Sequence, residues 1–172
     1  MGVLDELDYA LKPANAAQRV TQKIAASGPG AWVFQRTMYP IDKVLYKRTN
    51  GRLTVPGLMA GLPVIMLTTT GAKTGQARSM PLVGIPIGDD LAVIGSNYGQ
   101  KSTPGWVYNL EANPAAMVTY RDRNVAVVAR RANKHGTDRA FEMAAAGYAA
   151  FTAYRTRAAH RDIRVFTLKA AT

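Results

Sequence analysis

Apolar positions along the first part of the chain recur with helical spacing. Leu4, Leu7, Leu11, Val20 and Ile24 predict a helix over residues 4–26, interrupted at Pro13. Gly28-Pro29-Gly30 predicts a break. Residues 31–49 predict a second helix, with Trp32, Val33, Met38, Val44 and Leu45 on its apolar side and Pro40 ending or kinking its first half. Arg36, Lys43, Lys47 and Arg48 give it a basic face. Such a helix can lie on an anionic membrane surface or pack on a core with its basic face in water. Residues 50–63, with three Gly and two Pro, read as loop.

At Val64 the period changes from helical to extended. Val64–Thr70 is apolar and β-branched, Gly71–Ala77 reads as a turn, and Ser79–Ile87 predicts a second strand ending at Gly88-Asp89-Asp90. Leu91–Ser96 predicts a third, so that two successive hairpins form an antiparallel meander. Thr103 is a candidate N-cap for a helix with Pro104 at its first position and Asn113-Pro114 at its end. Strands are expected at Ala116–Tyr120, Val125–Ala132 and Ile163–Leu168. Between the last two, Thr137-Asp138 predicts the cap of a helix running to Ala146, and a further helix covers about 148–159.

About six strands joined by tight turns predict an α+β fold, mainly antiparallel, closing into a barrel with helices packed on it. No βαβ repeat, internal repeat or linker is visible. The expected organisation is a helical segment at 1–50 and a barrel at 51–172, forming one domain of ordinary size for 172 residues.

Charge and composition narrow the function. Lys plus Arg is 22 against 11 Asp plus Glu, a formal net charge of +11. The excess is +4 over residues 1–120 and +7 over residues 121–172. Nucleic acid, an anionic membrane or a small polyanion could each use it. Without cysteine there is no disulfide, Cys-ligated metal or thiol nucleophile, which fits a reducing cytoplasm. His135 and His160 lie far apart, so no metal site is expected. The N-terminus has no basic-then-apolar pattern of a signal peptide, and the longest apolar run, 55–67, is broken by Pro and Gly. No nucleic-acid-binding motif is present, and nucleic acid is not expected as a partner.

Three segments could carry chemistry. In the first, Thr68 to Leu82, a Gly-flanked turn presents Lys73, and Arg78 follows. Backbone amides and two cations there suit an anion, although an ordinary hairpin with solvated basic tips has the same pattern. The spacing is neither that of a Walker A loop nor Gly-x-Gly-x-x-Gly. In the second, Ser96 to Gln100 leads into Pro104 to Asn109, a strand end beside a helix start, with Trp106 as core or as ligand wall. In the third, Tyr148, Phe151 and Tyr154 fall on one side of a helix with small residues between them, as core packing or as the wall of a planar ligand.

In register over roughly residues 62 to 168, these segments resemble the deazaflavin-dependent nitroreductase family. These are split-β-barrel oxidoreductases of actinobacteria that use coenzyme F-420 and are related in fold to FMN-binding split barrels. The resemblance rests on Leu67-Thr68-Thr69-Thr70-Gly71-x-Lys73-Thr74-Gly75-Gln76-x-Arg78, Pro81-Leu82, Ser96, Pro104-x-Trp106-x-x-Asn109-Leu110-x-Ala112-Asn113-Pro114, Tyr148 to Tyr154 and Arg161-Asp162-Ile163. It implies that Ala72, Lys73, Thr74 and Arg78 line the coenzyme's phosphate and glutamate tail. Ser79, Met80, Pro81, Leu82 and Val83 would pass the deazaflavin ring. Ile94, Gly95, Ser96 and Asn97 would form a second wall, and Gly105, Trp106, Val107, Tyr108 and Asn109 a third. Phe151 would close over the ring, while Ser96, Tyr148 and Tyr154 orient the substrate.

The implied reaction is hydride transfer from reduced F-420 to a small acceptor: a quinone, a nitro compound or an enone-type alkene. FMN fits less well. Departures from the family pattern are Ala72 for an arginine, Asn97 for a lysine, Phe151 for a tyrosine and Val83 for an aromatic; they point away from nitroimidazoles. The alternative is a non-catalytic split barrel holding a lipid, fatty acid, FMN or haem. Retained Lys73 and Arg78 favour the polyanionic coenzyme. Location is expected in the cytoplasm, with peripheral contact to an anionic membrane open, as is monomer against homodimer.

Overall fold

The computed structural model describes residues 2–9, 20 and 63–171. The expected helix at 31–49, its membrane contact and the loop up to residue 62 lie outside the described residues. Seven strands form one antiparallel sheet: β1 (Val64–Thr70), β2 (Ala77–Val83), β3 (Ile85–Ile87), β4 (Asp90–Ile94), β5 (Ala115–Tyr120), β6 (Arg123–Arg131) and β7 (Val165–Ala170). Their order across the sheet is β2-β1-β5-β6-β7-β4-β3.

This order corrects two expectations. The predicted strand 79–87 is two strands, β2 and β3, and they lie at opposite edges of the sheet. The two hairpins, β1–β2 and β3–β4, are therefore not neighbours in a meander. One residue, Gly84, joins the two edges, so the sheet must curl until they meet. This is the split barrel that the resemblance implied.

Packing explains the break at Gly84. A Cβ there would lie 2.8 Å from the Tyr9 hydroxyl, 3.2 Å from Ile65 and 3.3 Å from Leu91. The Tyr9 hydroxyl lies 2.5 Å from the Gly84 carbonyl and 3.2 Å from that of Pro63, and holds the corner from inside.

Alternation along the strands sorts the side chains onto two faces. In β6, Val125, Val127 and Ala129 point inward while Asn124, Ala126, Val128 and Arg130 point out. The barrel interior holds Ile65, Leu67, Leu91, Val93, Val118, Val127, Phe166 and Leu168. A second cluster lies outside the sheet, where Ile85, Ala92, Ile94 and Val165 meet Phe141, Tyr148, Phe151 and Tyr154.

Helices close the two ends and cover part of the outside. Helix α1 (Val3–Leu7) docks at the end containing the β3–β4 turn, where the Leu4 amide donates to the Asp89 carbonyl. Five residues would not hold a helix in water; burial of Val3 and Leu7 in the interior cluster holds this one. Asp8, in a left-handed conformation (φ 50°), ends it, and of the rest of the predicted 4–26 segment only Tyr9 and the helical Val20 lie within the described residues.

Helix α2 (Gly105–Ala112) closes the opposite end with Trp106, Val107 and Leu110. Its N-cap is Pro104, not Thr103; the Thr103 hydroxyl instead faces Arg164 at 3.5 Å. Helix α3 (Lys134–Gly147) starts earlier than expected. Asn133 caps it by accepting from the Gly136 amide, while Asp138, expected at the cap, pairs with Lys134 and Arg155. Helix α4 (Ala150–Arg157) follows, and α3 packs on β3 and β4.

Candidate active site

The structure divides the predicted site residues among the β1–β2 hairpin, the segment after β4, the barrel interior and the outer cluster beside α4. The β1–β2 turn is tightly made. The Gly71 amide donates to the Gln76 carbonyl at 2.8 Å, and the Gly71 carbonyl accepts from Gly75 at 2.8 Å and from Thr74 at 3.3 Å. Gly75 has φ 67°, which a glycine adopts without strain. Ala72, Lys73, Thr74 and Arg78 are all exposed. Arg78 reaches the Gln76 side chain, and neither Lys73 nor Arg78 forms an ion pair among the described residues.

Asn109 ties this turn to α2. Its side-chain oxygen accepts from the Ala72 amide, and its side-chain nitrogen donates to the buried Thr69 hydroxyl, both at 3.0 Å. Asn109 therefore supports the basic turn. Two residues earlier α2 packs on the next segment, since a Cβ at Gly95 would meet Val107 at 2.9 Å. The helix is thus a common support for two of the three candidate segments.

The segment after β4 is a short 3-10 turn, Asn97–Gly99, with three successive positive φ values: 47° at Asn97, 55° at Tyr98 and 79° at Gly99. Asn tolerates this region and Gly prefers it; Tyr98 bears a cost of about 1–2 kcal/mol. A Cβ on Gly99 would lie 2.8 Å from that of Arg157. The Asn97 side chain donates to Ser102 at 3.0 Å. Ser96 is buried. Arg161, to which sequence reasoning gave no role, donates into this segment: Nη2 to the carbonyls of Gly95 (3.0 Å) and Ser96 (2.8 Å), and Nε to that of Gln100 (3.1 Å). Burial first, then the nearby Arg164 guanidinium, lowers its pKa from the ordinary arginine value.

The aromatic triad is assembled differently from expectation. Tyr148 is the C-cap of α3 (φ −153°), and only Phe151 and Tyr154 lie on α4. The three rings still meet edge to face, with centroids 5.8–6.2 Å apart. Tyr98 meets Tyr154 at 5.9 Å. The Tyr148 and Tyr154 hydroxyls lie 3.3 Å apart.

Burial pushes both phenol pKa values up, most strongly for Tyr154, where Tyr148 adds to the rise. Tyr9 is raised in the same way at the other end of the barrel. All three folded-state pKa values lie above the ordinary phenol value of about 10. The stability this gives is complete below that value and falls as pH rises towards the folded-state values. In a spectrophotometric alkaline titration, at least three of the eight tyrosines should ionise only together with loss of the fold. Smooth ionisation of all eight near the ordinary phenol value in folded protein would contradict this burial.

Along β2 the predicted ring-side residues divide between the two faces. Met80 and Leu82 pack on the interior cluster, whereas Val83 packs on the outer cluster with Tyr148, Phe151 and Tyr154. Ser79 and Pro81 share the face of Val83 by alternation, and the Ser79 hydroxyl is 2.8 Å from that of Thr68. Ile94 joins the same outer cluster. Trp106 and Val107 point inward, the former 6.0 Å from Phe166, while Gly105 and Tyr108 are exposed. The structure thus groups Val83, Ile94, Tyr148, Phe151 and Tyr154 in one wall and Ala72, Lys73, Thr74 and Arg78 in one turn.

The basic C-terminal third is largely engaged in structure. Arg131, Lys134, Arg155, Arg164 and Lys169 pair with carboxylates, and Arg161 with carbonyls. Among the described residues there is no cluster of metal-ligating side chains and no helix long and apolar enough to cross a membrane.

Comparison with known proteins agrees with this fold. A family model described as F420H(2)-dependent quinone reductase matches residues 39–170. A protein of that name from Mycobacterium tuberculosis is 34% identical over 100 residues, covering 57% of this chain and 65% of the relative. The chain thus spans 65% of the length of the curated relatives it matches. A solved F420-H2 dependent reductase (FDR-A) superposes with a TM-score of 0.56 at 30% identity, over 62% of this chain and 93% of that one. A structure described as a domain-swapped dimer gives 0.59 at 27% identity, over 82% and 99%. The chain belongs to the F420H(2)-dependent quinone reductase family.

Proposed function

We propose that this protein binds coenzyme F-420 and transfers a hydride from its reduced form to a quinone. The observation that carries the reading is the basic turn. Lys73 and Arg78 stand exposed on a turn fixed by Asn109, beside the same helix that supports the Ser96 segment. That donor set fits a phosphate- and carboxylate-bearing ligand and has no use in a fatty-acid carrier. Lys73 and Arg78 would hold the anionic tail, since the amides of Gly71, Ala72, Thr74 and Gly75 already donate within the protein. Val83, Ile94 and Phe151 would face the ring. The bound reduced ring supplies the hydride.

The remaining work falls to the chain. Phe151 and its aromatic neighbours exclude water from the reacting face. The Tyr148 and Tyr154 phenols stay neutral at physiological pH; one donates to the other, and the hydroxyl that accepts keeps its own proton to donate to an oxygen gaining negative charge. The acceptor gains a hydride and one proton, the latter drawn from solvent, and leaves as the quinol. Nitro compounds and enone-type alkenes present a similar oxygen and are secondary acceptors in this reading.

Equilibrium titration with F-420, FMN and oleate, followed by fluorescence, tests the assignment. Saturable F-420 binding, with FMN about 100-fold weaker, is expected, because FMN carries a phosphate but none of the glutamate carboxylates of the F-420 tail. Equal affinity for FMN, or binding of oleate alone, would overturn it.

A further inference from the structure

The segment 95–100 holds Tyr98 in a conformation that its side chain does not favour. Asn97, Tyr98 and Gly99 follow one another in the left-handed region. Within the turn, the Gly99 amide donates to the Ser96 carbonyl and the Gln100 amide to that of Asn97, each at 2.9 Å. From outside it, the Arg161 guanidinium takes up three carbonyls, at Gly95, Ser96 and Gln100. The carbonyls span both ends of the left-handed run, so a single rigid fork fixes the distance between them. The remaining nitrogen, Nη1, is buried and has no hydrogen-bond partner among the described residues. The side chain is thus committed to this segment and is not shared with a surface carboxylate.

We propose that Arg161 is a positioning residue of the active site: its guanidinium clamps residues 95–100, setting Ser96 and laying the Tyr98 ring against Tyr154. It acts through the backbone and touches neither coenzyme nor acceptor. The functional part of this inference rests on the reading of Ser96 and Tyr154 as acceptor-side residues; the structural part does not. The basic turn at 71–78 is held separately by Asn109, so loss of Arg161 leaves the anion-binding element in place.

Hydrogen exchange of the free protein and steady-state kinetics test the proposal together, in Arg161→Met and Arg161→Lys. In Arg161→Met the Gly99 and Gln100 amides should exchange about tenfold faster, while Gly71 and Ala129, bonded in other elements, should not change. The Kd for F-420 should stay within about twofold, and kcat/KM for a quinone should fall about tenfold or more. Arg161→Lys should recover part of both effects.

Unchanged exchange at Gly99 and Gln100 would overturn the proposal. So would faster exchange that includes Gly71 and Ala129, which marks a general structural role. If Arg161→Met does not fold, the same amides in Arg161→Lys decide the matter. If the wild-type protein shows no F-420 turnover, the functional reading fails on its own while the exchange result still judges the clamp.

Discussion

Replacing Lys73 and Arg78 together by Gln should weaken F-420 binding about 30- to 140-fold, with no measurable change in fold stability. Each exposed cation contributes about 1–1.5 kcal/mol to an anionic partner, less than a buried pair would, and two contacts sum to about 2–3 kcal/mol. Neither side chain has an ion pair among the described residues to lose, and both are exposed. Fold stability should therefore move by less than about 0.5 kcal/mol. Salt provides a second signature. Wild-type affinity should fall as ionic strength rises, since exposed charges are screened over about 8–10 Å, and the double variant should show a flatter dependence. A variant that binds F-420 as tightly as wild type would remove the basic turn from the account.

Trp106→Ala should have the largest effect on stability. The resemblance placed Trp106 in a coenzyme wall, but its ring is buried in the barrel interior, edge to face with Phe166. Removing a buried Trp costs about 3–5 kcal/mol, against a total of about 5–15 kcal/mol for a domain. Trp106→Phe keeps an aromatic in place and should cost far less. Its Kd for F-420 should match wild type within about twofold, because the ring packs on Phe166 in the barrel interior. Chemical denaturation with parallel titration separates the two effects. A stable Trp106→Ala protein with lost F-420 binding would mean that Trp106 belongs to the site wall.

Much of the fold was legible in local pattern. The β-branched run Val64–Thr70 and the turn at 71–77 match the structure because strand propensity and glycine chemistry are local. Position in the sheet was not legible. β2 and β3 read as one strand, since only the packing of Tyr9, Ile65 and Leu91 around Gly84 splits them onto opposite edges. Caps were missed where a long-range partner claimed the predicted residue: Thr103 faces Arg164, and Asp138 pairs with Arg155 and Lys134.

The candidate site followed a similar division. The basic residues share one hairpin, and the three aromatic rings meet edge to face. What sequence could not give was the side each residue faces, which put Met80, Leu82, Trp106 and Val107 into the core. Arg161 carried no signal beyond standing before a strand, since its three carbonyl partners lie more than 60 residues earlier in the chain. The +7 of residues 121–172 looked like a surface field. Of its eleven basic residues, five pair with carboxylates and Arg161 clamps carbonyls, but Asp138 and Asp162 are already counted in that net charge, so most of the field remains at the surface beside the two cations of the β1–β2 hairpin, Lys73 and Arg78.

The central claim is hydride transfer from reduced F-420 to a quinone, and direct turnover tests it. Protein, reduced F-420 and a soluble benzoquinone are mixed without oxygen, and oxidised coenzyme and quinol are measured together. The account predicts formation of the two products in a one-to-one ratio, faster than in the same mixture without protein, and slowed in the Lys73, Arg78 double variant. A rate equal to the protein-free mixture would contradict it.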